Sequence, residues 1–591
     1  MQDRKIKKID FSSGKLASMA DKFYNEGNYL SALRFAYKQL DLYGGDEEVY
    51  ARLADIYEGM GLHGTAVNWW FRLLDIAEEE ALPDVYEGLA VNFLSMGNES
   101  QSAYYYNKLI DVDDTLPDET KLDIAAAFSS SKKDAFRFVY PPRIADYTKE
   151  INIGSRALKL GDCERAVQEL SQVEKGAKEY AQAREMMAVA KLLTGDLQTA
   201  EEICVDLLQD FPDDVRVQST LAAVYLEQGR EEESKALAVR LAAQEQKEVD
   251  DLYKVATVCC ENGLHKEAYE KFCLLDNKLP FDGRMLYFKA VAAYKSGLID
   301  EAERILSDLC TVYPDAEVAK YYRNAIREYK DGEIAEPPEL IYFYHLPQEE
   351  RENRCKTLLH LRKCSKDEAM LLGAIALEEG YFRWCFDEMD GGDHDLQYLG
   401  IVVAVHAGAD DFLQDVLLDS DVVDVLKLET LRMLYERNED MHFGIVLYNI
   451  YRKIKIRRIS IGRKRRKRFI QGYAKVASKF VGFSDKHGKR LKEAAEKLYR
   501  ALEFYNALDL VDKAEDCACA IFLLADLKEL GSDTKTIAAT FDANEDRVSV
   551  LLTMVLSKEM GLDMDGAGLE LDGADNTDEG NIGEIKADDV D

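Results

Sequence analysis

The residues with the plainest chemical potential are cations. Between positions 441 and 484 the chain has thirteen Lys or Arg and no Asp or Glu, although 111 of its 591 residues are acidic. At the chain-wide frequency about eight acids would fall in such a window, so sampling is a poor account of it. With the whole chain at −35, everything outside the window sums to −48. The dense part is Arg452, Lys453, Lys455, Arg457 and Arg458, then Arg463, Lys464, Arg465, Arg466, Lys467 and Arg468. Such a row gains affinity for phosphate by counterion release, without reading base sequence. It suits an acidic protein surface equally well, and a solvated basic face or an import signal is the third reading. Ile454, Ile456, Ile459 and Ile461 alternate with charge in the first half, which predicts a short extended piece with one buried edge. Aromatic residues interleave only sparsely, so a stacking platform for single strands is not signalled.

Other candidate chemistry is thin. Cys355, His360 and Cys364 are five and four residues apart, a spacing that does not gather all three on one helix face, so no metal site is expected there. The eight histidines stand singly, and the chain lacks a phosphate-binding glycine loop, an HExxH and a GxSxG. A non-enzymatic protein without a cofactor is expected. Residues 534–556 have the spacing of a helix-turn-helix, and residues 512–556 are similar to the end of a cyclin-box bundle. The second helix, however, opens on Asn544, Glu545 and Asp546, whose carboxylates repel phosphate and suit a helix N-terminus instead. A structural bundle is therefore expected at 493–560. The closing segment, 561–591, holds eleven acids and one lysine. It is too poor in bulky residues to offset ordering entropy and reads as a disordered acidic tail. Asp563 and Asp565 there lack the remaining ligands of a calcium loop.

The elements that carry these segments are set by a 34-residue period. Gly161, Gly195, Gly229, Gly263 and Gly297 are each followed five positions later by a small residue, Ala166, Ala200, Ser234, Ala268 and Ala302. Gly27, Gly61 and Gly97 extend the pattern, with Ala32, Ala66 and Ser102. Seven residues before each glycine the chain is small again, from Ala20 and Ala54 to Ala256 and Ala290. Paired helices that cross at close range need a hydrogen or methyl at the crossing. Phe23, Tyr57, Phe93, Trp70 and Phe272 fill the space around it, and Pro212, Pro280 and Pro314 stop second helices in one register.

Small, aromatic, glycine, small and proline at this spacing resemble the tetratricopeptide repeat family over about residues 1–330. The resemblance implies a right-handed superhelical solenoid whose first helices line a groove for a peptide or partner helix. By that register the groove positions are Asp21, Tyr24, Asp55 and Glu58 near the start, then Arg216, Tyr253, Arg284, Tyr287, Tyr294 and Lys295. One subgroup of the family grips a C-terminal carboxylate with Lys and Asn where this chain has Ala17 and Asp21, so that clamp is disfavoured here.

The fold expected is all-α. Three repeats fill 1–114, an interrupted repeat with Pro141 and Pro142 fills 115–146, and five repeats with a capping helix fill 147–332. A proline-flanked connector follows at 333–347, then irregular HEAT-like helices at 348–450 and the basic segment at 451–492. The start, MQDRKIKKIDF, does not read as a secretory signal, and the longest uncharged apolar stretch, 396–409, is too short for a bilayer. Eleven cysteines at helix-core spacing, Cys204 and Cys259 among them, suit free thiols in a reducing compartment. The expectation is a cytoplasmic adaptor or scaffold that binds a protein or peptide through the groove. The alternative is a nucleic-acid-associated regulator that holds phosphate at 441–484 and is modulated by its acidic tail.

Overall fold

One local rule is applied eight times. In the computed structural model the eight turn glycines all lie in the left-handed region, from φ +69° at Gly263 to +83° at Gly297, a conformation that a Cβ penalises. Each closes a first helix in the same way: Gly61 N–H donates to Glu58 O and Leu62 N–H to Tyr57 O, at 2.9 and 3.0 Å, satisfying carbonyls that the helix end leaves open. Asn28, Asp162 and Asp196 then cap the following helices, each accepting from the backbone N–H three residues on.

The structure describes residues 12–113, 116, 117, 120–122, 124, 147–387, 393–461, 467–480, 485–525 and 534–561. The expected interrupted helix with Pro141 and Pro142, the cations Arg463 to Arg466 and the acidic tail beyond Gly561 lie outside them. Among the described residues the fold is all-α apart from one hairpin. Two compact units are present. One takes in residues up to 430 together with 443–453, and the other takes in 431–442 and residues from 454 on.

The first unit opens with three helix pairs, α1 Ser13–Asn25 with α2 Tyr29–Tyr43, α3 Glu47–Gly59 with α4 His63–Ile76, and α5 Leu82–Ser95 with α6 Glu99–Val112. A second series follows: α7 Thr148–Lys159, α8 Cys163–Leu170, α9 Tyr180–Leu193, α10 Leu197–Asp210, α11 Val215–Glu227, α12 Glu231–Ala243, α13 Val249–Glu261, α14 His265–Lys278, α15 Gly283–Lys295 and α16 Ile299–Val312, closed by α17 Glu317–Asp331. The first helices α1 and α3, and α7, α9, α11 and α13 in turn, lie side by side. The small residues at the crossings, such as Ala54, Ala66, Ala256 and Ala268, are wholly buried. At Gly154 an added Cβ would stand 2.6 Å from the Leu170 side chain. Where serine replaces alanine on a second helix, its hydroxyl donates to the small residue opposite: Ser102 to Ala90 O and Ser234 to Ala222 O, both at 2.8 Å. Burial of Phe93 and Phe272 around these crossings contributes about 1.5–3 kcal/mol each.

The first three pairs also pack on distant parts of their own unit. Tyr57 donates to Val312 O at 2.6 Å and Arg34 pairs with Asp308 at 2.9 Å. Val312, Leu418 and Val446 join the same apolar core as Tyr57 and Trp69. After α17 come α18 Gln348–Lys363, α19 Lys366–Glu378, α20 Tyr381–Trp384, α21 His394–Ala407, α22 Asp410–Leu418 and α23 Asp424–Glu436.

Next are two strands, β1 Met441–Leu447 and β2 Ile450–Ile456, paired as a hairpin. The extended piece expected from alternating isoleucines is β2, with Ile454, Ile456 and Ile459 buried. Its partner corrects the expectation that irregular helices run to 450. Its last five residues, FGIVL, are a continuous buried apolar run, which by periodicity alone a buried helix matches equally well. The second unit continues with α24 Lys467–Lys479, α25 Asp485–Phe504, α26 Ala514–Leu524, α27 Thr534–Phe541 and α28 Glu545–Glu559. Asn544 caps α28 by accepting from Arg547 N–H at 3.0 Å, as its sequence predicts. No helix among the described residues is long and apolar enough to cross a membrane, and all eleven cysteines are unpaired.

Candidate partner-binding surface

The first-helix face of the opening pairs is acidic and carries two tyrosines. Asp21 and Tyr24 come from α1, Asp55 and Glu58 from α3, and Asp84 from the first turn of α5. Gly59 gives the Tyr24 and Tyr29 rings a flat seat, since a Cβ there would stand 3.0–3.1 Å from both. The rings meet at 5.9 Å and 57°. Arg52 binds Asp21 at 2.6 Å. Glu58 accepts from Asn92 Nδ2 at 2.7 Å, and Asn92 Oδ1 meets His63 Nδ1 at 2.8 Å. Burial, then the Glu58 charge, pushes the Asp55 carboxyl up to about 6, with Arg52 opposing and Asp84 and Asp21 reinforcing the rise. Tyr24 is raised in turn, by burial and then by Asp55.

Along α9, α11 and α13 the corresponding face is self-neutralised. Glu185 is buried and accepts from Thr220 Oγ1 at 3.1 Å and from Lys254. Arg216 meets Asp251 at 3.2 Å and Asp250 at 3.7 Å. Tyr253, on α13, is half-buried, and Arg284, half-buried, opens α15.

At α15 and α17 the face is already occupied. The connector crosses it as a bent strip, in which His345 N–H turns back to Phe343 O at 2.9 Å, Leu340, Tyr344 and Leu346 are buried and Tyr342 is half-buried. Ile341 and Phe343 point outward, 37% and 55% exposed. The carbonyls of Ile341, Phe343 and half-buried His345 are taken one after another. Tyr287 Oη donates to Ile341 O at 3.1 Å and Phe343 O at 3.2 Å, and Tyr322 Oη to His345 O at 2.9 Å. The inward side chains find their own partners. Tyr342 bonds His265 Nδ1 at 3.0 Å and lies under Lys295 Nζ at 5.9 Å. Tyr344 sets its ring edge on Tyr287 at 4.9 Å and donates to Asp387 at 3.0 Å. Asp387 also accepts from Val318 N–H at 2.7 Å. Burial pushes its carboxyl up to about 7 against the pull of those two donors.

A family model described as a tetratricopeptide repeat matches residues 191–256, which span the end of α9 to the middle of α13. The helix pairs at 191–256 are tetratricopeptide repeats. No curated protein matches the chain. Among solved structures, the TPR2AB domain of yeast Sti1 in a pHSP90 complex is 17% identical, covers 44% of this chain and 96% of its own, and has a TM-score of 0.19. A tetratricopeptide repeat protein from Parabacteroides merdae is 14% identical over 45% and 93%, at TM-score 0.21. The TPR domain of P58(IPK) is 15% identical over 54% and 89%, at 0.19.

Along the helix pairs the sequence-predicted groove residues fall into three environments. Tyr24, Asp55 and Glu58 share the acidic face, Arg216 and Tyr253 sit on the neutralised one, and Arg284 lies in the first turn of α15. Tyr287 is fully buried under the connector, and the Lys295 ammonium is exposed above Tyr342. The Tyr294 hydroxyl is buried without a hydrogen-bond partner among the described residues. Asn92, His63 and Asp387 went unnoticed in the sequence because their roles depend on neighbours outside their own helix.

The described cations of the basic segment divide between the two units. Arg452 and Lys453 belong to the first and are exposed. In the second, Lys455, Arg458 and Lys467 are exposed, while Arg457 pairs with Asp485 at 2.5 Å and Arg468 with Asp512 at 2.9 Å. Asp485 is held below the usual carboxylate range by Arg457.

Proposed function

We propose that this protein is an adaptor whose tetratricopeptide repeats bind an extended segment of a partner protein along their first-helix faces. The observation that carries the reading is the connector. Its carbonyls at 341 and 343 accept from the groove residue Tyr287 and that at 345 from Tyr322, so this surface already holds the backbone of a segment of its own chain. With that stretch filled, the acidic face of the opening repeats is the surface for an outside segment. Asp55, Glu58 and Asp84 crowd there with Tyr24, and Arg52 is committed to Asp21. A segment bearing Lys or Arg and an aromatic-compatible stem relieves the repulsion among those carboxylates and suits the tyrosine rings.

Calorimetric titration of the full chain with Lys/Arg-bearing and Asp/Glu-bearing peptides tests this. Basic peptides should bind, and Asp55→Asn with Glu58→Gln should weaken them by roughly tenfold or more. Preference for the acidic set would overturn the reading. In the nucleic-acid alternative, partners recovered with the chain are lost after nuclease treatment; the adaptor keeps them.

A further inference from the structure

The turn between α18 and α19 brings together three side chains of ligating type. His360 lies in the last turn of α18, Cys364 is its C-cap, and Glu368 lies in the first turn of α19. The spacing is four and four, so each helix contributes the residue of one turn to the sulfur between them. His360 Nε2 stands 3.6 Å from Cys364 Sγ. All three ligand atoms lie within 4.8 Å of one another. Cys355, the third member of the set read from the sequence, takes no part: it is near Cys385 instead.

Three electron-pair donors converge here with a single thiol proton between them. A tetrahedral zinc ion with bonds of about 2.3 Å to sulfur and about 2.0–2.1 Å to nitrogen holds those two atoms about 3.5 Å apart. The imidazole and the sulfur already stand at that separation. Glu368 is exposed, so its carboxylate closes the remaining gap by side-chain rotation without moving the helices. The C-terminal end of α18 adds the partial negative charge of its open carbonyls. His406 Nε2 meets Cys364 O at 3.0 Å from α21, fixing the turn that presents the sulfur.

We propose that His360, Cys364 and Glu368 form a binding site for a divalent metal of the zinc class, with solvent as the fourth ligand. Binding exchanges the Cys364 S–H proton, released to solvent, for a sulfur–metal bond, and no redox step is involved.

The test is metal titration of the full chain against a chromophoric chelator, with Zn²⁺ as the ion and a non-chelating phosphine to keep thiols reduced. Cobalt(II) serves as the spectroscopic probe. One equivalent should bind, and Cys364→Ser and His360→Gln should each weaken it by at least about tenfold. The cobalt complex should show a thiolate-to-metal charge-transfer band that Cys364→Ser abolishes and His360→Gln retains at saturating metal. Glu368→Gln should weaken binding and keep the band. Unchanged uptake or an unchanged band in Cys364→Ser would assign the metal to other thiols and overturn the proposal, as would no uptake at all. Unaltered helicity of the three variants controls for unfolding.

Discussion

The hydroxyl of Tyr57 donates to the backbone carbonyl of Val312 across 2.6 Å, linking α3 of the second repeat to the end of α16. Because that proton is committed to Val312, Tyr37, 2.7 Å from the same oxygen, acts as the donor to Tyr57. Tyr57→Phe leaves the Val312 carbonyl without this donor and the Tyr37 hydroxyl proton without its acceptor. We expect a loss of about 1–3 kcal/mol, read from the denaturant midpoint. An unshifted midpoint would show that water replaces the bond.

Ala268 sits wholly buried where α14 crosses α13. Ala268→Leu adds three carbons to a crossing that has no room for them and should cost about 1–3 kcal/mol. Thermal melts of the full chain check it, and an unaltered profile would be incompatible with close packing there.

Asp387 gives stability a pH dependence of definite sign. Its folded carboxyl is at about 7, whereas an unfolded aspartate titrates at about 3.9. Between those values the folded state holds the extra proton, so this contribution is present below about 4 and is lost as pH rises toward 7. Asp387→Asn keeps the acceptor for Val318 and Tyr344 and should flatten that part of the curve. Denaturation midpoints from pH 4 to 8 for both proteins provide the comparison.

Asp55 predicts a pH effect on binding instead. With its carboxyl at about 6, it is neutral below that pH and charged above it. Affinity for a Lys-rich peptide should therefore rise from pH 5 to 7, and in Asp55→Asn the rise should shrink. Equal pH profiles would remove Asp55 from the binding surface.

Much of the fold was legible because its determinants are local. A turn glycine and a small residue at a crossing each act within one helix pair, and Gly61 and Ala66 behave as their spacing implies. What was not legible depends on partners far along the chain. Tyr287 stands at a groove position by register, but nothing near it in sequence shows that residues 341 and 343 cover it. The Asp387 carboxylate lies beyond that connector and receives Tyr344. Likewise β2 was visible through alternating isoleucines, whereas β1 was not, because MHFGIVL has no alternation. The ligating trio was half visible: His360 and Cys364 were noted, while Glu368 lies across a turn whose angle only the folded chain fixes.

The strip across α15 and α17 also divides its own positions by how freely they can change over generations. Tyr287 and Tyr322 hold carbonyls, which every amino acid supplies, so the outward letters Ile341 and Phe343 are unconstrained by the contact that fixes them. Leu340, Tyr342, Tyr344 and Leu346 answer to specific neighbours. Substitutions should thus accumulate at every second position, with the alternate ones held constant.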